Sequence, residues 1–111
     1  MNIDSEQKRI AFGYNRGPIN QIELHPAQAM TVKLIFESYA SGKSIIEIAT
    51  MLASAGIPSP QNRPTWGKQT ISNILSNSHY LGEAPYIPII EQALFDKVQD
   101  IKNSKAPSLG K

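Results

Sequence analysis

The sequence predicts a mainly α domain with a small N-terminal β-hairpin, an α+β fold with a helix-turn-helix-like core of about four helices. Apolar residues recur at helical spacing in successive stretches from His25 onward. Ahead of them, two strand-like stretches flank Asn15-Arg16-Gly17-Pro18, which has turn chemistry. A segment with three prolines, Ile57 to Pro64, separates two amphipathic stretches and can only be a loop.

One domain is expected from 111 residues, and 41% apolar with 18% charged residues suits a chain that folds round a modest core. Residues 1–9 read as a polar linker, residues 10–103 as the domain, and residues 104–111 as a second linker.

In the first strand, Arg9 to Tyr14, residues Ile10, Phe12 and Tyr14 fall on one side, and Ile19 to Leu24 returns as its partner. An isolated hairpin is marginal in water, so it must pack on the helices that follow. His25-Pro26 opens the first helix, with Pro at the favoured first position. Val32, Ile35, Phe36 and Tyr39 form its inward stripe, and Gly42 stops it. Ser44 with Glu47 three residues on is the capping-box pattern for a second helix. Ile45, Ile48, Ala49 and Leu52 face inward there, and Gly56 follows its end. Lys68 to Asn77 forms the third helix, with the narrow stripe Ile71, Ile74 and Leu75. Tyr80 to Glu83 reads as a short extended piece or tight turn, and Pro85 and Pro88 keep residues 84–89 extended. The last helix spans Gln92 to Asn103, with Leu94, Phe95, Val98 and Ile101 inward and Ile90 placed to staple over Phe95.

The formal charge is +2 and the pI near 9.0, which permits a nucleic-acid partner without demanding one. Between Glu47 and Glu83 there is no acid, while Arg63, Lys68 and His79 lie inside that window. The absence of cysteine excludes disulfides, thiolate zinc sites and a cysteine nucleophile within this chain. His25 and His79 have no partner at ligand spacing, so no metal site is expected. His25 reads as a helix-start residue, and His79 as packing beside Tyr80. No Gly-x-Ser-x-Gly elbow and no Gly-rich phosphate loop occurs, so neither catalysis nor a cofactor is expected. No apolar run approaches the ~20 residues that span a bilayer, and an intracellular, cytoplasmic location without membrane contact is the expectation.

The outer face of the third helix carries Lys68, Gln69, Ser72, Asn73 and Ser76, all able to reach a base edge or a phosphate and none acidic. A helix, a break and a second helix with such a face describe a helix-turn-helix DNA reader. The loop before this helix is long for the minimal motif. Arg63 in that loop is placed to enter a minor groove or clamp a phosphate, and Arg16 and Lys43 are further phosphate candidates. Trp66, the only tryptophan, reads as the core anchor that fixes how the helix enters.

Phe12-Gly13-Tyr14, His25-Pro26-Ala27-Gln28-Ala29 and Val32-Lys33-Leu34-Ile35-Phe36 begin a pattern that continues through residues 39–49 and 52–60. Trp66, Ile71, Ile74-Leu75-Ser76-Asn77 and Tyr80-Leu81-Gly82 complete it. From about Phe12 to Ile101, this resembles the recombinase domain of the large serine recombinases, the phage integrases and transposon recombinases.

That resemblance implies a DNA-binding module from the middle of a larger enzyme that is bacterial or phage-encoded and associated with the nucleoid. In the family, a resolvase-like domain carries the serine that cleaves DNA through a phosphoserine link, and a zinc ribbon with a coiled coil follows. This chain has neither the serine–arginine constellation nor the cysteines of the ribbon, so it is expected to bind DNA without recombining it. The implied partner is double-stranded DNA, one half of an attachment site, with a monomeric isolated domain and a parent that is dimeric or tetrameric on DNA. Typical members carry a basic residue or two near Ser72, Asn73 and Ser76, where this face is neutral. The segment from Gly82 to Ile90 is also shorter than the family's hairpin-bearing connection. The alternatives are a stand-alone helix-turn-helix transcriptional regulator, which would need its own dimer surface, and a non-DNA protein-interaction module.

Overall fold

The two short strands Tyr14–Arg16 (β1) and Ile22–Leu24 (β2) pair antiparallel, with Tyr14 opposite Leu24 and Arg16 opposite Ile22. The structure, a computed structural model, describes residues 10–110. Helices follow at Pro26–Ala40 (α1), Ile45–Ser54 (α2), Lys68–Leu75 (α3) and Gln92–Gly110 (α4), with a 3-10 turn at Ser78–Leu81. This is the expected mainly α domain with an N-terminal hairpin.

The hairpin sits further along the chain than its sequence suggests. Residues expected to turn, Asn15 and Arg16, lie in β1, and the turn is Pro18-Ile19-Asn20. Asn20 N–H donates to the Gly17 carbonyl across 3.0 Å, Gly17 N–H donates to the Gln21 carbonyl across 2.7 Å, and Asn20 is left-handed (φ 70°). A three-residue loop of this kind ends in a left-handed residue, and asparagine is one of the few side chains that tolerate it. Upstream, Phe12-Gly13 turns instead of extending, because Gly13 takes φ 111°. A Cβ there would lie 3.1 Å from the Ile89 side chain, which would have to give way, in a backbone conformation that L side chains rarely adopt.

Helix α1 buries Val32, Ile35, Phe36 and Tyr39, the expected stripe. His25 is its N-cap, its Nδ1 accepting from the Gln28 amide at 3.2 Å. The Ser44 capping box is complete: Ser44 Oγ accepts from the Glu47 amide (3.0 Å), and Glu47 Oε1 accepts from the Ser44 amide (2.8 Å). Ile48 and Leu52 of α2, Ile71, Ile74 and Leu75 of α3, and Val98 of α4 complete one core with α1. Ile90 joins that core just before α4, with Phe95 packed against it.

Aromatic rings fasten the hairpin to the rest. Tyr14 stacks on Tyr80 (centroids 6.1 Å apart) and touches Tyr86 (4.7 Å), while its hydroxyl donates to the Ile87 carbonyl. Tyr80 is fully buried and donates to the Phe12 carbonyl at 2.7 Å. Burial raises both phenols, Tyr14 to about 12 and Tyr80 further still.

Of the two alternatives expected for Tyr80 to Glu83 the tight turn is found: Tyr80 and Leu81 lie in the 3-10 turn, which Gly82 closes in the left-handed region. Two further expectations are corrected. Residues 84–86 are not extended: Tyr86 N–H donates to the Glu83 carbonyl (2.8 Å) round a cis Ala84–Pro85 peptide, and the chain then returns so that the Ile89 and Ile90 amides both reach the Tyr80 carbonyl. Helix α4 continues past Asn103 to Gly110. The linker assigned to residues 1–9 lies outside the described residues.

Candidate functional site

Helix α3 divides its side chains by chemistry. Ile71, Ile74 and Leu75 are buried against α1, α2 and α4, a 3.6-residue stripe that fixes the opposite face toward solvent. On that face Lys68, Gln69, Asn73 and Ser76 are exposed. Gln69 Nε2 donates to Asn73 Oδ1 across 2.8 Å, so the two amides form one polar unit. The N-cap, Gly67, offers no side-chain acceptor to the first turn of α3.

Ser72 does not share this open face. It is half-buried, and Lys102 of α4 lies across it, with Nζ 3.1 Å from Ser72 Oγ and 3.5 Å from the Ser72 carbonyl. Three residues earlier, Gln99 Nε2 donates to the Leu75 carbonyl at 2.7 Å. The polar edge of α4 thus grips α3 at two points one turn apart. Burial lowers the Lys102 ammonium from its usual value. Lys102 was invisible as a site residue in the sequence because it lies 30 positions from Ser72.

The connection before α3 is built, not slack. Ser59 N–H donates to the Arg63 carbonyl (2.9 Å), Asn62 N–H donates to the Ser59 carbonyl (2.7 Å), and Asn62 is left-handed (φ 62°). This repeats the hairpin loop: a Pro-x-Asn triplet, with the left-handed residue at its end, closed by the same pair of bonds. The exposed Arg63 therefore leaves a defined loop. Trp66 is 6% exposed, its Nε1 donating to the Ile57 carbonyl at 2.8 Å and its ring edge-on to Phe12. The indole ties the two ends of the connection together and aims α3, which is the core-anchor role.

The remaining candidates stand on other elements. Arg16 reaches back along the hairpin, its guanidinium donating to the Asn20 carbonyl at 2.9 Å. Lys43 is exposed in the turn between α1 and α2. His79 has a packing role, edge-on to Tyr86 (4.4 Å), and its Nδ1 lies 2.7 Å from Asn77 Oδ1. Among the described residues no group of His, Asp or Glu could hold a metal ion, and no helix is long and apolar enough to cross a membrane.

Residues 26–105 match the profile of the family described as Recombinase. Among solved structures, the chain is similar to one described as "Crystal Structure of a LSR-DNA Complex", with a TM-score of 0.69 and 21% identity over 84% of this chain and 32% of that one. It is also similar to one described as "Sequence Requirements of the Listeria innocua prophage attP site", with a TM-score of 0.73 and 21% identity over 89% of this chain and 44% of that one. At this identity the two likenesses show a shared fold, and the chain spans less than half the length of either. No curated protein sequence matches it.

Proposed function

The chain belongs to the Recombinase family, the recombinase domain of the large serine recombinases, and on that premise we propose that it reads one half of a DNA attachment site through the major groove. The observation that carries this reading is the face of α3. Lys68, Gln69, Asn73 and Ser76 are exposed and non-acidic on a helix whose other side is locked into the core. Glutamine and asparagine amides match the donor–acceptor edge of adenine, and lysine meets guanine or phosphate. Arg63, presented by the closed Ser59–Arg63 loop, contacts the backbone beside that groove. Ser72 supports the face from its flank, and Arg16 and Lys43 offer weaker phosphate contacts from other elements. The two solved structures named above are described in terms of DNA, an LSR–DNA complex and a prophage attP site, which supports the same partner.

In a parent recombinase such a module would address the enzyme to its site, and strand cleavage would fall to a separate serine domain. The deciding experiment is selection of bound duplexes from a random pool by the full 111-residue chain. Enrichment of a single non-palindromic motif, weakened by Asn73→Ala, is the expected result. Recovery of unselected sequence, with binding indifferent to Asn73→Ala, would remove sequence reading from α3. A stable dimer enriching a palindrome would indicate a free-standing regulator instead.

A further inference from the structure

A part-buried cation that faces no anion needs an explanation, because removing an ammonium from water costs free energy unless a partner offsets it. Among the described residues Lys102 is such a cation. Its Nζ is held by Ser72 Oγ at 3.1 Å and lies 3.5 Å from the Ser72 carbonyl, both uncharged. Among the described residues no carboxylate pairs with it, and its charge is perturbed by burial alone. The nearest acids on its own helix are directed elsewhere: Asp96 accepts from Gln92, and Asp100 is exposed. Ser72 lies one residue from Asn73 on α3, so the ammonium stands at the flank of the exposed polar face.

We propose that Lys102 is a DNA-phosphate contact, and that the nucleic-acid surface is a composite of the α3 face and the edge of α4. A duplex whose bases meet Gln69 and Asn73 must carry its backbone along the flanks of α3, where Lys102 is the cation already fixed in place. An ammonium has three donors, and at most two are spent on Ser72. The α3 face is short of positive charge, having only Lys68, and α4 supplies what α3 lacks. The Gln99 bond to the Leu75 carbonyl holds the two helices in register so that the charge stays on the flank.

This inference rests on the DNA-reading function and can fail separately from it. The test is binding of the full chain to the selected duplex and to a scrambled duplex over a salt series, for wild type, Lys102→Met and Lys102→Arg. Methionine keeps the packed stem and removes the charge. The expected result for Lys102→Met is a roughly tenfold loss on both duplexes and a log–log salt slope shallower by about one, with Lys102→Arg close to wild type. Melting temperatures of the same variants separate charge from folding. An unchanged salt slope in Lys102→Met would overturn the proposal, whatever the melting temperature, and would leave Lys102 as a brace for α3. A loss confined to the selected duplex would overturn it too. Wild type that binds neither duplex would remove the DNA-reading function and this inference together.

Discussion

Gln69 and Asn73 are joined by a 2.8 Å hydrogen bond between their side-chain amides, one turn apart on the exposed face of α3. The bond orients both groups. Asn73 Oδ1 is occupied as an acceptor, leaving its Nδ2 to donate, and Gln69 keeps its Oε1 free to accept. A face that would otherwise hold two independent rotamers is presented as one unit, which lowers the entropy lost when a base edge docks against it.

The first prediction concerns this pair. Gln69→Ala and Asn73→Ala should each weaken binding to the selected site by about 1–3 kcal/mol and relax preference at one base pair. Because each truncation also releases the other amide, the double variant should lose less than the sum, with a coupling of about 0.5–3 kcal/mol. A double-mutant cycle by titration at one salt concentration measures it. Strict additivity would mean that the bond is not kept in the complex. Equal losses on every sequence would make both residues phosphate contacts.

Trp66 carries the second prediction. Its indole is buried, bonded to the Ile57 carbonyl and edge-on to Phe12, so Trp66→Ala should destabilise the domain by about 3–5 kcal/mol. Against a total of about 5–15 kcal/mol, that leaves the variant largely melted or with a sharply lowered midpoint in urea. Trp66→Phe keeps apolar bulk and leaves the Ile57 carbonyl unpaired, and should fall between. If Trp66→Ala melts like wild type yet loses DNA affinity, the ring is a nucleotide contact and not an anchor.

Trp66 marks what was legible in the sequence. The stripes of α1, α2 and α3, the Ser44–Glu47 box and the His25-Pro26 start are local signals, and each is found where its spacing puts it. Trp66 was legible as an anchor because a large indole next to a helix start has few other uses. Turn chemistry misled where two solutions competed. Asn15 to Pro18 reads as the turn, but the left-handed Asn20 shifts the loop onward. The same Pro-x-Asn triplet at Pro60 to Asn62 reads locally only as a loop, although its repetition is a usable signal. The burial of Ser72 under Lys102, and the packing of His79 on Tyr86, were not legible, since both depend on packing between segments that no local spacing encodes.

The third prediction is the dependence of binding on salt. With Lys68, Arg63 and a few weaker cations near the face, about three to five phosphates should be neutralised, for a log–log slope of roughly −3 to −4. The isolated chain should be monomeric by light scattering at micromolar concentration, because the helical stripes and the hairpin share one core. A slope near zero would exclude backbone contact as the source of affinity.

The fourth prediction concerns alkaline stability and rests on Tyr14 and Tyr80. Both phenols are raised above the ordinary value of 10.0 by burial, Tyr14 to about 12 and Tyr80 beyond it. Above pH 10 the unfolded chain releases these protons while the folded chain keeps them, so the native state binds more protons and stability falls as pH rises. Below the unfolded value the contribution is complete; it is lost progressively on the way to the folded value. Each tyrosine can steepen the alkaline limb by at most about 1.4 kcal/mol per pH unit. Lys102, lowered by burial, acts with the opposite sign near its own unfolded value, because there the unfolded chain binds more protons than the folded one. Comparison with Tyr14→Phe and Tyr80→Phe cancels that term, since Lys102 is unchanged in both. Each variant should lose some stability at neutral pH, because the Ile87 or Phe12 carbonyl loses its donor. Each should also show a flatter decline above pH 10, measured as urea midpoints across the range. If the alkaline limbs of the variants run parallel to wild type, the two phenols ionise as readily in the folded chain as in the unfolded one. The aromatic junction between the hairpin and the 3-10 turn would then be open to water.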